Sequence, residues 1–304
     1  MKLTDFVAEF LSRQGIKYVF GLTGGAVVHL FDSIDRHPDI KPVFNHHEQA
    51  AAFAAEAYAR VSNNLGAAFV TTGPGGTNAI TGVCAAWLDS IPCIYISGQT
   101  RKEHTSRGKG IRQLGTQEFD IVKLVEPITK YAVMLEDANM IQYHLQKAVH
   151  IAKSGRPGPV WIDIPLNLEW AGIDPDTIPQ FHPEPAAQMK KMNLDSSVKK
   201  CLDLLTKSRR PLIIAGYGIN LAKAAGEFQD LIELLKIPFV SSWNACDLLP
   251  TDHPYYTGRL GIAGQRGANL AVQNADLLLA IGSHLCIPQT GTNTQAFARG
   301  AKKI

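Results

Sequence analysis

Residues 67–90 read Ala-Ala-Phe-Val-Thr-Thr-Gly-Pro-Gly-Gly-Thr-Asn-Ala-Ile-Thr-Gly-Val-Cys-Ala-Ala-Trp-Leu-Asp-Ser, and this stretch decides the fold. The apolar run ending at Thr72 is strand-like, the glycines at 73, 75 and 76 break it, and from Asn78 to Ser90 the pattern is helical. The run does not alternate with polar residues, so the strand is predicted to be buried on both faces, as in a parallel sheet with crossover helices. Tyr18–Leu22, Pro42–His46, Cys93–Ser97 and Val160–Pro165 read in the same way, with helices predicted over Glu48–Val61 and Asn139–Ser154. The helix at Glu48–Val61 carries seven alanines, small enough to let it sit close to its neighbours.

The pattern fails from about Ala171, where Pro175, Pro179, Pro183 and Pro185 fall among polar residues as in an extended linker. A second β/α series follows, with strands at Pro211–Ala215, Pro238–Trp243 and Asp276–Ile281 and helices near Ser196–Lys207, Ala222–Leu235 and Gly267–Gln273. Ala301-Lys-Lys-Ile304 looks like the start of one more strand. The expected fold class is α/β: two doubly wound, mainly parallel sheets with helices on both faces. The expected domains are residues 1–170, a linker over 171–192, and an incomplete domain over 193–304.

Composition narrows the class further. The chain has 304 residues, 45% hydrophobic and 19% charged, with net charge +3, which excludes disorder and gives no general nucleic-acid surface. No apolar stretch approaches the roughly 20 residues that span a bilayer, and the N-terminus lacks a signal-peptide layout, so neither membrane nor export is expected and the location is read as cytoplasmic. Five cysteines without a Cys-x-x-Cys pair are read as small core residues.

Two segments bring chemistry to strand-to-helix junctions, where open α/β sheets bind ligands. In the first, Glu48 opens the helix that follows Asn45-His46-His47. Position alone favours a solvated or capping glutamate, and Ala51 removes the second histidine of an H-E-x-x-H zinc motif. The second is Thr71–Asn78, which is neither a phosphate-binding P-loop nor a dinucleotide fingerprint and which also serves as a tight turn.

Taken in order, Phe20-Gly-Leu-Thr-Gly-Gly-Ala26, His47-Glu-Gln49, Thr72–Asn78, Asp89-Ser-Ile-Pro92, Ser97-Gly-Gln99, Gln117-Glu-Phe-Asp-Ile121 and Gly155–Val160 resemble the amino-terminal domain of thiamine-diphosphate enzymes of the acetolactate synthase group. The resemblance implies a pyrimidine-binding domain over residues 1–170, in which Glu48 hydrogen-bonds N1′ of the cofactor and manages its protons. It further implies that Gly24, Gly25, Gly73, Pro74, Gly75 and Asn78 line the cofactor and that Gln117 reaches toward the reacting carbonyl. The implied reaction is decarboxylation of a 2-oxo acid such as pyruvate, followed by addition of the resulting enamine to a second carbonyl. The site would be shared between subunits of a homodimer or tetramer. Diphosphate and Mg²⁺ would bind a Gly-Asp-Gly motif of a further domain, and no Gly-Asp-Gly occurs in these 304 residues, so no metal ligand is expected in this chain.

Residues from about 193 resemble the central domain of the same enzymes, through Arg210–Gly218 and Ala275–Gly282. Some members bind FAD there. The glycine pattern is incomplete, with Leu at 221, and FAD is left open. A departure from the family is the segment Thr100–Arg112, longer than its norm and holding Arg101, Lys102, Arg107, Lys109 and Arg112. It reads either as a solvated loop or as a site for an anionic second substrate such as a nucleotide-linked sugar. Two alternatives thus stand beside the carboligase: a related decarboxylase or ligase of surface-sugar biosynthesis, and a non-catalytic fragment or subunit that needs a partner chain.

Overall fold

The computed structural model describes residues 1–184 and 194–304, which fall in two compact units, residues 1–185 and 186–304. In unit 1 the strands are β1 (Tyr18–Gly21), β2 (Lys41–Phe44), β3 (Gly66–Val70), β4 (Cys93–Gln99), β5 (Tyr131–Met134) and β6 (Val160–Pro165). They form one sheet in the order β2-β1-β3-β4-β6-β5, every pair parallel. The helices are α1 (Leu3–Arg13), α2 (Val28–Arg36), α3 (Glu48–Ser62), α4 (Pro74–Asp89), α5 (Ile121–Val125), α6 (Ile141–Lys153) and α7 (Leu166–Glu169).

Alternate residues of each buried strand serve opposite faces. Phe69, Ile94, Ile96, Ile162 and Ile164 join Leu3, Val7 and Leu11 of α1, Leu30 and Ile34 of α2, and Ile141 and Leu145 of α6 in one core. On the other face Tyr95 stacks on Trp161, and its hydroxyl donates to the carbonyl of Ala52 in α3 at 3.4 Å. The alanines of α3 do what their size suggests: a Cβ added at Gly82 of α4 would lie 2.5 Å from that of Ala52, so the two helices touch almost backbone to backbone.

The strand order reverses between β1 and β3, because the chain runs from β1 outward to β2 and then crosses back to β3. The segments that leave the C-terminal ends of β1 and β3 therefore diverge and open a crevice, the usual ligand position in such sheets. Residues 171–184, the first part of the expected linker, fold back on unit 1: Lys2 bridges Gly172, and Ile173 and Ile178 enter the core. The remainder of that linker, from residue 185, lies outside the described residues.

Unit 2 contains β7 (Pro211–Ala215), β8 (Phe239–Ser241), β9 (Tyr256–Arg259), β10 (Leu277–Ile281) and β11 (Lys302–Lys303), in the parallel order β11-β10-β7-β8-β9. Its helices are α8 (Leu194–Lys207), α9 (Gly218–Leu221), α10 (Ala225–Leu235), α11 (Arg266–Asn274) and α12 (Ile287–Thr290). The two all-parallel sheets bear out the expected fold class. Among the described residues, no helix is long and apolar enough to cross a membrane.

Candidate functional site

Glu48 is the first residue of α3 and is only 7% exposed. It is neither solvated nor the cap: His47 takes the capping position, and its Nδ1 accepts the backbone N–H of Gln49 at 3.1 Å. Glu48 Oε2 accepts a hydrogen bond from Asn78 Nδ2 of α4 at 2.9 Å. Its other oxygen, Oε1, faces Gly75, where an added Cβ would stand 3.4 Å away. The missing side chain at 75 lets the turn pack on Thr71, whose Cγ2 an added Cβ would meet at 2.7 Å, and keeps the backbone close to the buried carboxylate oxygen.

The turn that supplies Gly75 begins earlier than expected. Helix α4 starts at Pro74 and not at Asn78, because proline at the first helical position needs no N–H partner and has the right φ. Gly73 precedes it at φ +62°, and an added Cβ there would lie 2.2 Å from the carbonyl oxygen of Gln117. The third side of the crevice is the segment after β1. Gly24 lies against Thr71, at 2.5 Å from an added Cβ to the threonine Cβ, and Thr71 Oγ1 accepts the N–H of Ala26 at 3.3 Å. Gly25 has open space where a side chain would be. The structure thus brings together Gly24, Thr71, Gly75, Glu48 and Asn78, and closes Gly73 against Gln117, whose own side chain is exposed.

Beneath these turns runs a buried polar chain that the sequence reading did not single out. Ser97 Oγ donates to Asp163 Oδ1 at 2.5 Å and accepts from Trp161 Nε1 at 2.8 Å. Gln99 Nε2 donates to Asp163 Oδ2 at 3.0 Å and to the Phe119 carbonyl at 2.9 Å, while its Oε1 accepts from Thr72 Oγ1 at 2.7 Å. Burial pushes the Asp163 carboxyl up to about 7, against the lowering effect of the Ser97 and Gln99 hydrogen bonds. The signal was present in the sequence, since Asp163 interrupts the apolar strand Val-Trp-Ile-Asp-Ile and must find donors there.

The basic segment after β4 splits. Arg107 and Lys109 line a cleft of about 540 Å³ together with Lys102, Thr105, Glu136 and Asn167. Glu136 pairs with Arg107 at 3.1 Å and Lys102 at 2.9 Å, and Lys109 Nζ donates to the Glu103 carbonyl at 2.6 Å. Arg101 and Arg112 do not line it: Arg101 lies over the Trp170 ring, 5.7 Å from its centroid, and Arg112 is exposed. Among the described residues, no cluster of three or more His, Cys, Asp or Glu is placed to hold a metal.

Comparison with known proteins decides the family. The family description "thiamine pyrophosphate enzyme, N-terminal TPP binding domain" matches residues 1–124, and "thiamine pyrophosphate enzyme, central domain" matches residues 198–304. The chain belongs to the thiamine pyrophosphate enzyme family. Among its relatives within that family is the probable acetolactate synthase large subunit of Methanocaldococcus jannaschii, 35% identical over 306 residues, which span 100% of this chain and 50% of that protein. The acetolactate synthase large subunit of Lactococcus lactis is 35% identical over 285 residues, 92% of this chain and 48% of the relative. The chloroplastic acetolactate synthase of Arabidopsis thaliana is 35% identical over 308 residues, 100% of this chain and 44% of its own length. The chain thus spans about half the length of the curated relatives it matches. A carboxylate 7% exposed beside turns of bare backbone, with open space at Gly25, fits a heterocyclic cofactor of the thiamine type, whose ring nitrogens take or give protons.

Proposed function

We propose that the chain is the amino-terminal portion of a thiamine-diphosphate-dependent carboligase of the acetolactate synthase type. It would decarboxylate a 2-oxo acid such as pyruvate and join the remaining carbon unit to a second carbonyl. The observation that carries this reading is Glu48: a buried carboxylate, oriented by Asn78 through one oxygen, with the other turned toward the backbone of the Gly75 turn. When bound, thiamine diphosphate supplies a thiazolium that adds to a 2-oxo acid and acts as electron sink for the loss of CO2.

The residues of this chain supply the orientation and the proton. Glu48 Oε1 exchanges a proton with a ring nitrogen of the aminopyrimidine, while the Asn78 hydrogen bond holds the carboxylate in one rotamer. Gly24, Gly25, Gly73 and Gly75 present backbone without side chains, and the rigid ring of Pro74 between two of them starts α4, so that a flat ring can approach the backbone. The exposed side chain of Gln117, at the rim beside Gly73, reaches the reacting carbonyl. Residues 1–170 act as the pyrimidine-binding domain and 193–304 as the central domain, with diphosphate and Mg²⁺ held by residues outside this chain. The site is shared between subunits of a cytoplasmic homodimer or tetramer. Gly216 and Gly218, the glycines read as an FAD approach, have a packing use that needs no flavin: added Cβ atoms would lie 2.2 and 2.7 Å from the Gly282 carbonyl oxygen.

A second reading, a ligase whose acceptor is an anionic sugar derivative, is favoured by the cleft at Arg107 and Lys109. Product formation from pyruvate alone, compared with pyruvate plus a nucleotide-linked keto sugar, separates the two. The primary test is Glu48→Gln in the full-length protein. Exchange of the cofactor C2 proton is expected to slow by roughly 10²–10⁴-fold, and exchange at the parental rate would show the assigned role to be wrong.

A further inference from the structure

The buried chain under the Glu48 crevice has a fixed polarity. Gln99 is 2% exposed, and its amide touches four groups. Two are acceptors, Asp163 Oδ2 at 3.0 Å and the Phe119 carbonyl at 2.9 Å, and these claim both protons of Nε2. Two are donors, Thr72 Oγ1 at 2.7 Å and the N–H of Thr100 at 3.0 Å, and these claim Oε1. Turning the amide over would set donor against donor and acceptor against acceptor, so a single orientation is allowed. The Asp163 carboxylate anchors it, because it is the one charged acceptor among the four and its other oxygen is held by Ser97 Oγ at 2.5 Å.

The two arms of this amide end on the two walls of the crevice. Thr72 immediately precedes Gly73, and Phe119 lies two residues after Gln117, whose backbone has the left-handed φ of +58° and whose carbonyl faces Gly73. Thr72 Oγ1 lies 3.4 Å from that same carbonyl, so the walls also meet at Thr72. One amide therefore sets the separation of the glycine turn and the Gln117 segment.

We propose that Asp163 and Gln99 are a positioning pair: the ionised carboxylate on β6 fixes the Gln99 amide, which holds the Thr72 turn and the Gln117–Phe119 segment in register around the Glu48 crevice. The proposal rests on reading that crevice as the cofactor site. Protonation of Asp163 turns a charge-assisted hydrogen bond into a neutral one of roughly half the strength. The carboxyl is poised for this near neutrality, where burial has pushed it to about 7; beyond Ser97 and Gln99, the charged groups whose fields reach it are Asp120 and Arg107. Asp163→Asn keeps the shape and mimics the neutral form.

The test is hydrogen–deuterium exchange of the full chain between pH 5.5 and 8.5, corrected for intrinsic rates and read over residues 70–78 and 113–121. Openings that leave Asp163 buried but release its Gln99 hydrogen bond, which lowers its carboxyl, are favoured by protonation; through them both segments of the parent protein are expected to exchange about tenfold faster at pH 5.5 than at 8.5, even though global unfolding becomes harder in acid. Asp163→Asn is expected to show the faster rate at both values. Thr72→Val removes the Thr72 arm and its long contact with the Gln117 carbonyl but keeps the Asp163–Gln99–Phe119 arm, so at pH 8.5 it should loosen 70–78 more than 113–121 and leave the pH response of 113–121 intact; this holds whether or not the Asp163 variant folds. Rates independent of pH in the parent, or a rise spread evenly over unit 1, overturn the proposal. Apparent affinity for thiamine diphosphate in the full-length protein is the second readout. A change in exchange with unchanged affinity supports the positioning pair while refuting the cofactor reading of the crevice.

Discussion

At the scale of single residues, the carboxylates of unit 1 differ in what their surroundings do with a charge. Glu48 keeps a side-chain donor in Asn78, whereas Glu169 at the end of α7 is 0% exposed, with only the backbone N–H of His29 and the Lys2 charge to ease its carboxylate. Burial pushes Glu169 up to about 9, with the Lys2 charge only partly opposing, so the folded state keeps its proton through neutral pH. Its folded pKa lies above the unfolded one; the associated stability is therefore complete below about 4.5 and is lost as pH rises toward 9. Glu169→Gln removes the titration and keeps the shape. Chemical denaturation should find the variant more stable than the parent by about 5 kcal/mol at pH 8 and equal to it at pH 4. A constant difference across that range would refute the assignment.

At the scale of elements, helix contact in unit 1 depends on side chains that are absent. Gly82→Val would force α4 away from α3, since even its Cβ would meet Ala52 at 2.5 Å and the Phe53 amide nitrogen at 3.1 Å. Overpacking of this kind costs about 1–3 kcal/mol, and the thermal midpoint of unit 1 should fall accordingly; an unchanged midpoint would mean that the helices are free to separate. Such close packing was legible in the alanine-rich sequence of α3, as were the fully buried strands β3, β4 and β6, because an unbroken apolar run admits few other readings. Strand β5, Tyr131–Met134, was missed, since it is a half-buried edge of four residues; β9 was missed because a register shift against β8 breaks its pattern. At the site, Glu48 and the glycines were legible as motif residues. The Asp163–Gln99–Thr72 chain was legible only at Asp163, a lone acid in an apolar strand; its partners come from other strands and turns and meet it only once the sheet has formed.

At the scale of the whole molecule, the two units respond differently to pH, and calorimetry can separate them. Unit 1 holds both raised carboxyls, Asp163 at about 7 and Glu169 at about 9, so each stabilises it less as pH climbs from 5 to 8.5. His144 acts the other way: burial lowers its pKa below the usual 6.5, so the stability it withholds in acid returns as pH rises toward that value. Two carboxyls outweigh one imidazole below pH 7, and above it Glu169 alone sets the slope, about 1.4 kcal/mol per pH unit. In unit 2 the shifted carboxyl is Asp276, held down to about 2 by the Ser208 hydroxyl and the backbone N–H groups of Arg209 and Arg210. Its contribution is complete above about 3.8 and is lost only as pH falls toward 2, outside this window. Scans at pH 5, 7 and 8.5 should therefore show one transition that moves down by about 10–30 °C, at about 2–4 °C per kcal/mol for a unit of this size, and a second that stays in place. Asp163→Asn with Glu169→Gln should flatten the first. A transition whose midpoint ignores pH in the parent would contradict the burial of these carboxyls.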